Sequence, residues 1–136
     1  MSIWGHKVSA KLVATVVAVL LLGALGVALT RPAPREVTLV ARGMAFYLEN
    51  GDAPNPTLTF KAGDRIRIVF RNQDRGISHN VVVPAVNAEF QPIGWNQSAD
   101  VVFEVPDTPG IYEYWCRPHM MMMRGTIIVT AVDLDR

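Results

Sequence analysis

The sequence predicts an all-β sandwich preceded by one hydrophobic helix, and three observations support this. Beyond Arg35 no helical period is sustained. Short runs rich in β-branched and aromatic residues recur there between Pro, Gly, Asn and Asp clusters, the pattern of stacked sheets. Before Arg31, by contrast, an apolar run extends unbroken from Leu12 to Leu29. Residues 1–30 are therefore read as a membrane anchor or signal segment, 31–35 as a linker, and 36–136 as the folded domain.

The apolar run follows His6, Lys7 and Lys11, and its most polar member is Thr15. Eighteen helical residues span roughly 27 Å, close to the thickness of a bilayer's hydrocarbon core. That is long for a cleavable signal, although Ala24-Leu25-Gly26 is a passable cleavage site. An uncleaved anchor is the favoured reading and a cleaved signal the alternative. Both export the rest of the chain, and the basic residues before the run favour an N-in orientation. With Lys7 and Lys11 set aside, 11 basic residues face 12 acidic ones. Such near-neutrality gives no electrostatic footprint for nucleic acid.

In the domain, Glu36–Ala41 is the first expected strand, with Val37, Leu39 and Ala41 on one side. Thr57–Phe60 follows, and Lys61-Ala62-Gly63-Asp64 makes a turn. Arg65–Arg71 alternates Arg65 and Arg67 with Ile66, Ile68 and Phe70, so one face is wet and the other buried. His79–Val83 is apolar after Asn80 and reads as an interior strand. Asp100–Val105 and Ile111–Trp115 are joined by Pro106-Asp107-Thr108-Pro109-Gly110, with Pro and Gly where a tight turn needs them. Thr126–Val132 closes the sheet. Glu49–Pro56 and Pro84–Ser98 read as loops, the second long enough for a short helix. The strands are expected to pair as an antiparallel sandwich.

Chemistry concentrates in Cys116-Arg117-Pro118-His119-Met120-Met121-Met122-Met123, with His79 thirty-seven residues before Cys116. Cys116 ends one strand and Gly125–Ile128 begins the next, so residues 117–124 form a loop between neighbours. Such a loop can aim a thiolate, an imidazole and a thioether at one centre, and His79 joins them from another strand. A lone buried Cys or a lone loop His is ordinarily structural. Two imidazoles, one thiolate and a weak thioether together form the donor set copper takes in electron-transfer sites. Soft sulfur suits Cu(I), and imidazole suits both oxidation states. His6 lies before the apolar run and has no part in the site.

Gly110-Ile111-Tyr112-Glu113-Tyr114-Trp115-Cys116-Arg117-Pro118-His119, running on to Met123-Arg124-Gly125-Thr126, resembles the copper loop of the cupredoxins. The Cys-x-x-His half is similar to plastocyanin, pseudoazurin and amicyanin, and the His-x-x-x-Met-basic-Gly-Thr half to azurin. Ser78-His79-Asn80-Val81-Val82 resembles the family's first-ligand strand. The likeness covers roughly residues 36–132. It implies an eight-stranded Greek-key sandwich and a blue, one-electron Cu(I)/Cu(II) carrier with one type 1 copper ion. By position it implies His79, Cys116 and His119 as equatorial ligands. Met123, directly before Arg124-Gly125, is the favoured axial ligand, with Met122 the alternative. Asn80 is implied to lend its backbone N–H to the thiolate while its side chain ties the two ligand segments together. Pro118 has no N–H to give the sulfur, which should lower the potential.

A bridged dinuclear copper centre needs a second thiolate, and the chain has one cysteine. Haem attachment lacks its Cys-x-x-Cys-His, and structural zinc normally recruits more Cys or His than are present. A nucleophilic cysteine needs an electropositive setting, whereas Cys116 sits among methionines. The expected function is therefore an electron carrier, not an enzyme. Its partners would be respiratory-type donor and acceptor proteins outside the cytoplasm, with residues 12–29 holding it at the membrane. A copper-delivery protein, or an accessory cupredoxin subunit of a terminal oxidase or reductase, is the alternative, in which Met120 and Met121 help acquire Cu(I).

Overall fold

Side-chain alternation along Arg65–Asn72 sets up the first sheet. Ile66, Ile68, Phe70 and Asn72 are buried while the residues between them are partly or fully exposed. In the computed structural model, which describes residues 11, 15–19 and 31–132, two units are distinguished, Met1–Pro32 and Ala33–Arg136. Within the first, Lys11 and residues 15–19 are helical. The rest of the expected anchor, residues 12–14 and 20–29, lies outside the described residues. Among the described residues no helix is long and apolar enough to cross a membrane.

The second unit contains nine strands among its described residues: β1 Arg35–Arg42, β2 Ala45–Leu48, β3 Leu58–Lys61, β4 Arg65–Asn72, β5 Val82–Val83, β6 Ala88–Glu89, β7 Ser98–Glu104, β8 Gly110–Trp115 and β9 Arg124–Thr130. One sheet has the order β2-β1-β4-β7 and the other β3-β9-β8-β5-β6. Six of the seven expected strands recur with bounds moved by one or two residues. The chain crosses repeatedly from sheet to sheet, as a Greek-key sandwich requires. Pairing departs from the expected all-antiparallel arrangement in one place per sheet. β1 runs parallel to β4, with Val37 opposite Ile68, and β3 runs parallel to β9, with Phe60 opposite Val129. Crossing between sheets allows this, because a strand that returns from the other layer can enter beside its neighbour in either direction.

Two strands, β2 and β6, escape the sequence pattern, the second lying within the expected loop Pro84–Ser98. β2 pairs with β1 through Gly43 and Met44, both with positive φ (57° and 63°), the twist that suits a two-residue hairpin. Residue Met44 is not one that announces such a turn. The expected strand His79–Val83 is shortened to Val82–Val83, with His79 held only by a bridge to Ile93. The cause is Asn80, whose side chain engages two other segments. Thr126–Val132 likewise starts earlier and ends at Thr130. The loop after β5 opens with a 3-10 turn, Pro84–Val86, the short helix its length allows.

Between the sheets lie Leu39, Phe46, Ile66, Ile68 and Phe70 from one side and Phe60, Val83, Tyr114, Ile127 and Val129 from the other. Each such side chain contributes about 1.5–3 kcal/mol on burial. Phe46 meets Phe70 edge-on at 6.1 Å and Tyr114 at 5.3 Å. This packed layer supports the end of the sandwich where Cys116 leaves β8.

Candidate metal centre

The ligand loop is built by its own backbone. The N–H of Cys116 donates to Met123 O at 2.9 Å, closing residues 116–123 at their base. Inside, His119 N–H donates to Cys116 O, and the N–H groups of Met122 and Met123 both donate to His119 O. Arg117–His119 forms one 3-10 turn, with Pro118 in its first turn, where a missing N–H costs nothing. On the other segment His79 and Ile93 exchange backbone hydrogen bonds at 3.1 and 2.9 Å.

Together these fix three donor atoms in a triangle. His79 Nδ1 and His119 Nδ1 lie 3.1 Å apart, and Cys116 Sγ lies 3.6 Å from each. The centre of that triangle is about 2.0 Å from all three atoms, close to metal–nitrogen and slightly short of metal–sulfur bond lengths. His79 and Cys116 are wholly buried and His119 is half-buried. Three expected site residues are therefore brought together. The donor set, two imidazoles and one thiol, is compatible with a single type 1 copper ion.

Of the four consecutive methionines, Met123 alone turns inward. It is 0% exposed, against 39%, 90% and 60% for Met120, Met121 and Met122. Its position follows from the bond between its carbonyl and Cys116 N–H, which seats the residue beside the buried cysteine. Asn55 fixes the preceding residue: its Nδ2 donates to Met122 O at 2.9 Å while its Oδ1 accepts from Phe46 N–H.

Asn80 acts as expected. Its Oδ1 accepts the N–H of Arg117 at 2.8 Å and its Nδ2 donates to Phe90 O, joining the two ligand segments. Burial pushes the Cys116 thiol up, opposed by the backbone N–H groups of Asn80 and then of His119. Pro118 gives the sulfur no N–H, but the expected lack of a second donor is not observed, because the N–H of His119 takes that place. The metal-free thiol thus remains protonated at neutral pH and must release its proton to bind a metal.

Asp74 was not singled out in the sequence. Its Oδ2 faces His79 Nε2 at 3.0 Å, on the far side of the ring from Nδ1. Burial lowers His79 below the ordinary histidine value, with Asp74 opposing and His119 adding to the fall. The ring is neutral at pH 7, as a metal ligand must be. Burial of Asp74 favours its acid form, but the N–H groups of Met44 and Gly43, with His79, hold it below the usual carboxyl range. Asn72 supports the segment: its Nδ2 donates to Ile77 O and Ile93 O, and its Oδ1 accepts Asp74 N–H. Asn72 carried a legible signal, a polar residue on the buried face of β4. Asp74 carried none beyond being an acid five residues before His79. Among the described residues every buried side-chain nitrogen or oxygen has a hydrogen-bond partner.

A two-layer β-sandwich with a His₂Cys cluster at the end of one sheet defines a class of metal-binding domain. The chain belongs to the cupredoxin-like family, whose domain model matches residues 16–129. No curated protein matches the sequence. Among solved structures, auracyanin B is 24% identical with a TM-score of 0.60, over 74% of this chain and 93% of that one. Auracyanin A from Chloroflexus aurantiacus, described as a "blue" copper protein, is 24% identical with a TM-score of 0.58, over 72% and 100%. Copper nitrite reductase from Nitrosomonas europaea is 23% identical with a TM-score of 0.60; 76% of this chain spans 44% of that enzyme. At these identities the likeness is one of fold.

Proposed function

We propose that this chain is a mononuclear type 1 copper protein that carries single electrons between donor and acceptor proteins outside the cytoplasm. The observation that carries this reading is the triangle of His79 Nδ1, His119 Nδ1 and Cys116 Sγ around one point about 2.0 Å from each. A copper ion bound there would accept one electron from a donor protein as Cu(II) and pass it to an acceptor as Cu(I). His79, Cys116 and His119 would hold it, with the buried Met123 as a further, weak sulfur donor. Because the backbone and Asn80 already fix the donors, the site has little to rearrange when the charge changes.

His119 is the ligand that reaches toward solvent, and Met120, Met121 and Met122 are exposed around the same loop. Exposed apolar groups of this kind mark contact sites, and flexible thioethers suit brief contacts with differing partner shapes. This face is the proposed route for the electron. The chain is proposed to act as a carrier and not as an enzyme, exported and held at the membrane by residues 12–29. The same exposed thioethers favour a second reading, a copper-delivery protein or an accessory subunit of a terminal oxidase or reductase, since soft sulfur binds Cu(I).

Voltammetry of the copper-loaded chain separates these readings. A carrier gives a reversible one-electron wave with one copper per chain retained through repeated cycles. Copper lost to a Cu(I) chelator within the first reductions would favour delivery.

A further inference from the structure

The expected ligands leave one buried charge unexplained. Asp74 sits in a loop, yet its side chain is only 13% exposed, and both of its oxygens are occupied. Oδ1 accepts Gly43 N–H at 2.6 Å. Oδ2 accepts Met44 N–H at 3.1 Å and faces His79 Nε2 at 3.0 Å. Gly43 and Met44 are the two left-handed residues of the β1–β2 hairpin, and that conformation presents two successive N–H groups to one carboxylate. On its backbone side Asp74 is fixed by Asn72, whose amide also holds Ile93, the residue bridged to His79. The carboxylate is thus fixed from the hairpin, from β4 and from the loop that carries His79.

We propose that Asp74 is a positioning residue for the metal centre: it holds His79 with its proton on Nε2 and its Nδ1 lone pair facing Cys116 and His119, and its charge favours the more oxidised metal. The inference rests on the copper reading for its second half only. A neutral imidazole has one donor and one acceptor nitrogen, and the bond made by one fixes the role of the other. A carboxylate on Nε2 therefore leaves Nδ1 free to bind a metal without a change of tautomer. The same negative charge, one ring's width from the metal, stabilises Cu(II) more than Cu(I). The β1–β2 hairpin, remote in sequence from every ligand, becomes part of what sets the potential.

Two measurements on the full-length chain test this. In the metal-free protein, long-range nitrogen–proton NMR should show His79 protonated at Nε2 in the wild type and a mixture of tautomers in Asp74→Ala. In the copper-loaded protein, Asp74→Asn keeps the size and an acceptor oxygen but removes the charge. It should keep the colour of the wild type and shift the Cu(II)/Cu(I) equilibrium toward Cu(I) by tenfold or more, which is 59 mV for a one-electron couple. A wild-type His79 protonated at Nδ1, or an Asp74→Asn shift smaller than tenfold, would overturn the proposal. Failure of the wild type to bind copper would sink the electron-carrier reading and leave the tautomer result to decide the role of Asp74.

Discussion

Gly125→Ala should be among the most costly single-methyl additions in the domain, and the reason is space, not backbone conformation. Gly125 pairs with Tyr114 across β8 and β9. A Cβ built on it would stand 2.2 Å from Cζ, 2.3 Å from Cε1 and 2.4 Å from the hydroxyl oxygen of Tyr114. Ordinary carbon contacts are about 3.5–4.0 Å. The ring cannot easily retreat, because it is wholly buried, Phe46 lies 5.3 Å away, and its hydroxyl donates to Pro56 O at 2.6 Å. Overpacking costs about 1–3 kcal/mol. If the ring swings away, the lost hydroxyl bond adds about 1 kcal/mol or more. A total of about 3 kcal/mol corresponds to a Tm lower by roughly 12–24 °C for a domain of this size. Urea unfolding of the metal-free chain measures it, with a Tyr114→Leu background as control. Removing the ring first should reduce the cost of Gly125→Ala to under about 1 kcal/mol, a coupling between contacting residues. Equal costs in the two backgrounds would show that the close approach is not what requires glycine there.

Met123→Leu should leave copper bound and raise the potential, because the site loses a sulfur donor and becomes more apolar; Met122→Leu, an exposed position, should change little. Exchanged outcomes in voltammetry would place the loop register one residue off. The metal-free chain should be most stable between about pH 6.5 and pH 9. Burial keeps folded His79 below 6.5, so the unfolded state binds more protons as pH falls past that value, and stability drops. Burial keeps folded Cys116 above 9.0, so the unfolded thiol ionises first as pH rises past that value, and stability drops again. Unfolding midpoints that stay flat through both edges would contradict these shifts.

Where one face of a strand is wet and the other dry, the sequence reads directly as structure. Arg65–Asn72 is such a case, and its end differs from expectation by one residue. β2 was illegible because its turn is Gly43-Met44 and its run is only four residues long. The short β5 follows from Asn80, whose side chain bonds Arg117 N–H and Phe90 O, partners 37 and 10 residues away. In the site, Cys116 and His119 are legible because one loop carries both, and His79 because it opens an apolar run. Four equal methionines are indistinguishable in sequence, whereas in the fold Met123 is the buried one, its carbonyl accepting Cys116 N–H. Asp74 depends on a hairpin 30 residues earlier, and no local pattern encodes that contact.

If His79, Cys116 and His119 hold one copper ion through a sulfur–copper bond, the copper-loaded chain is coloured, and its visible absorption decides the matter. With Cu(II) at one equivalent an intense band is expected near ~600 nm, with a weaker one near ~450 nm, from thiolate-to-copper charge transfer. Cys116→Ser should abolish both. A wild-type chain that binds copper without colour, or a Cys116→Ser chain that keeps it, would rule out a copper–thiolate bond at Cys116.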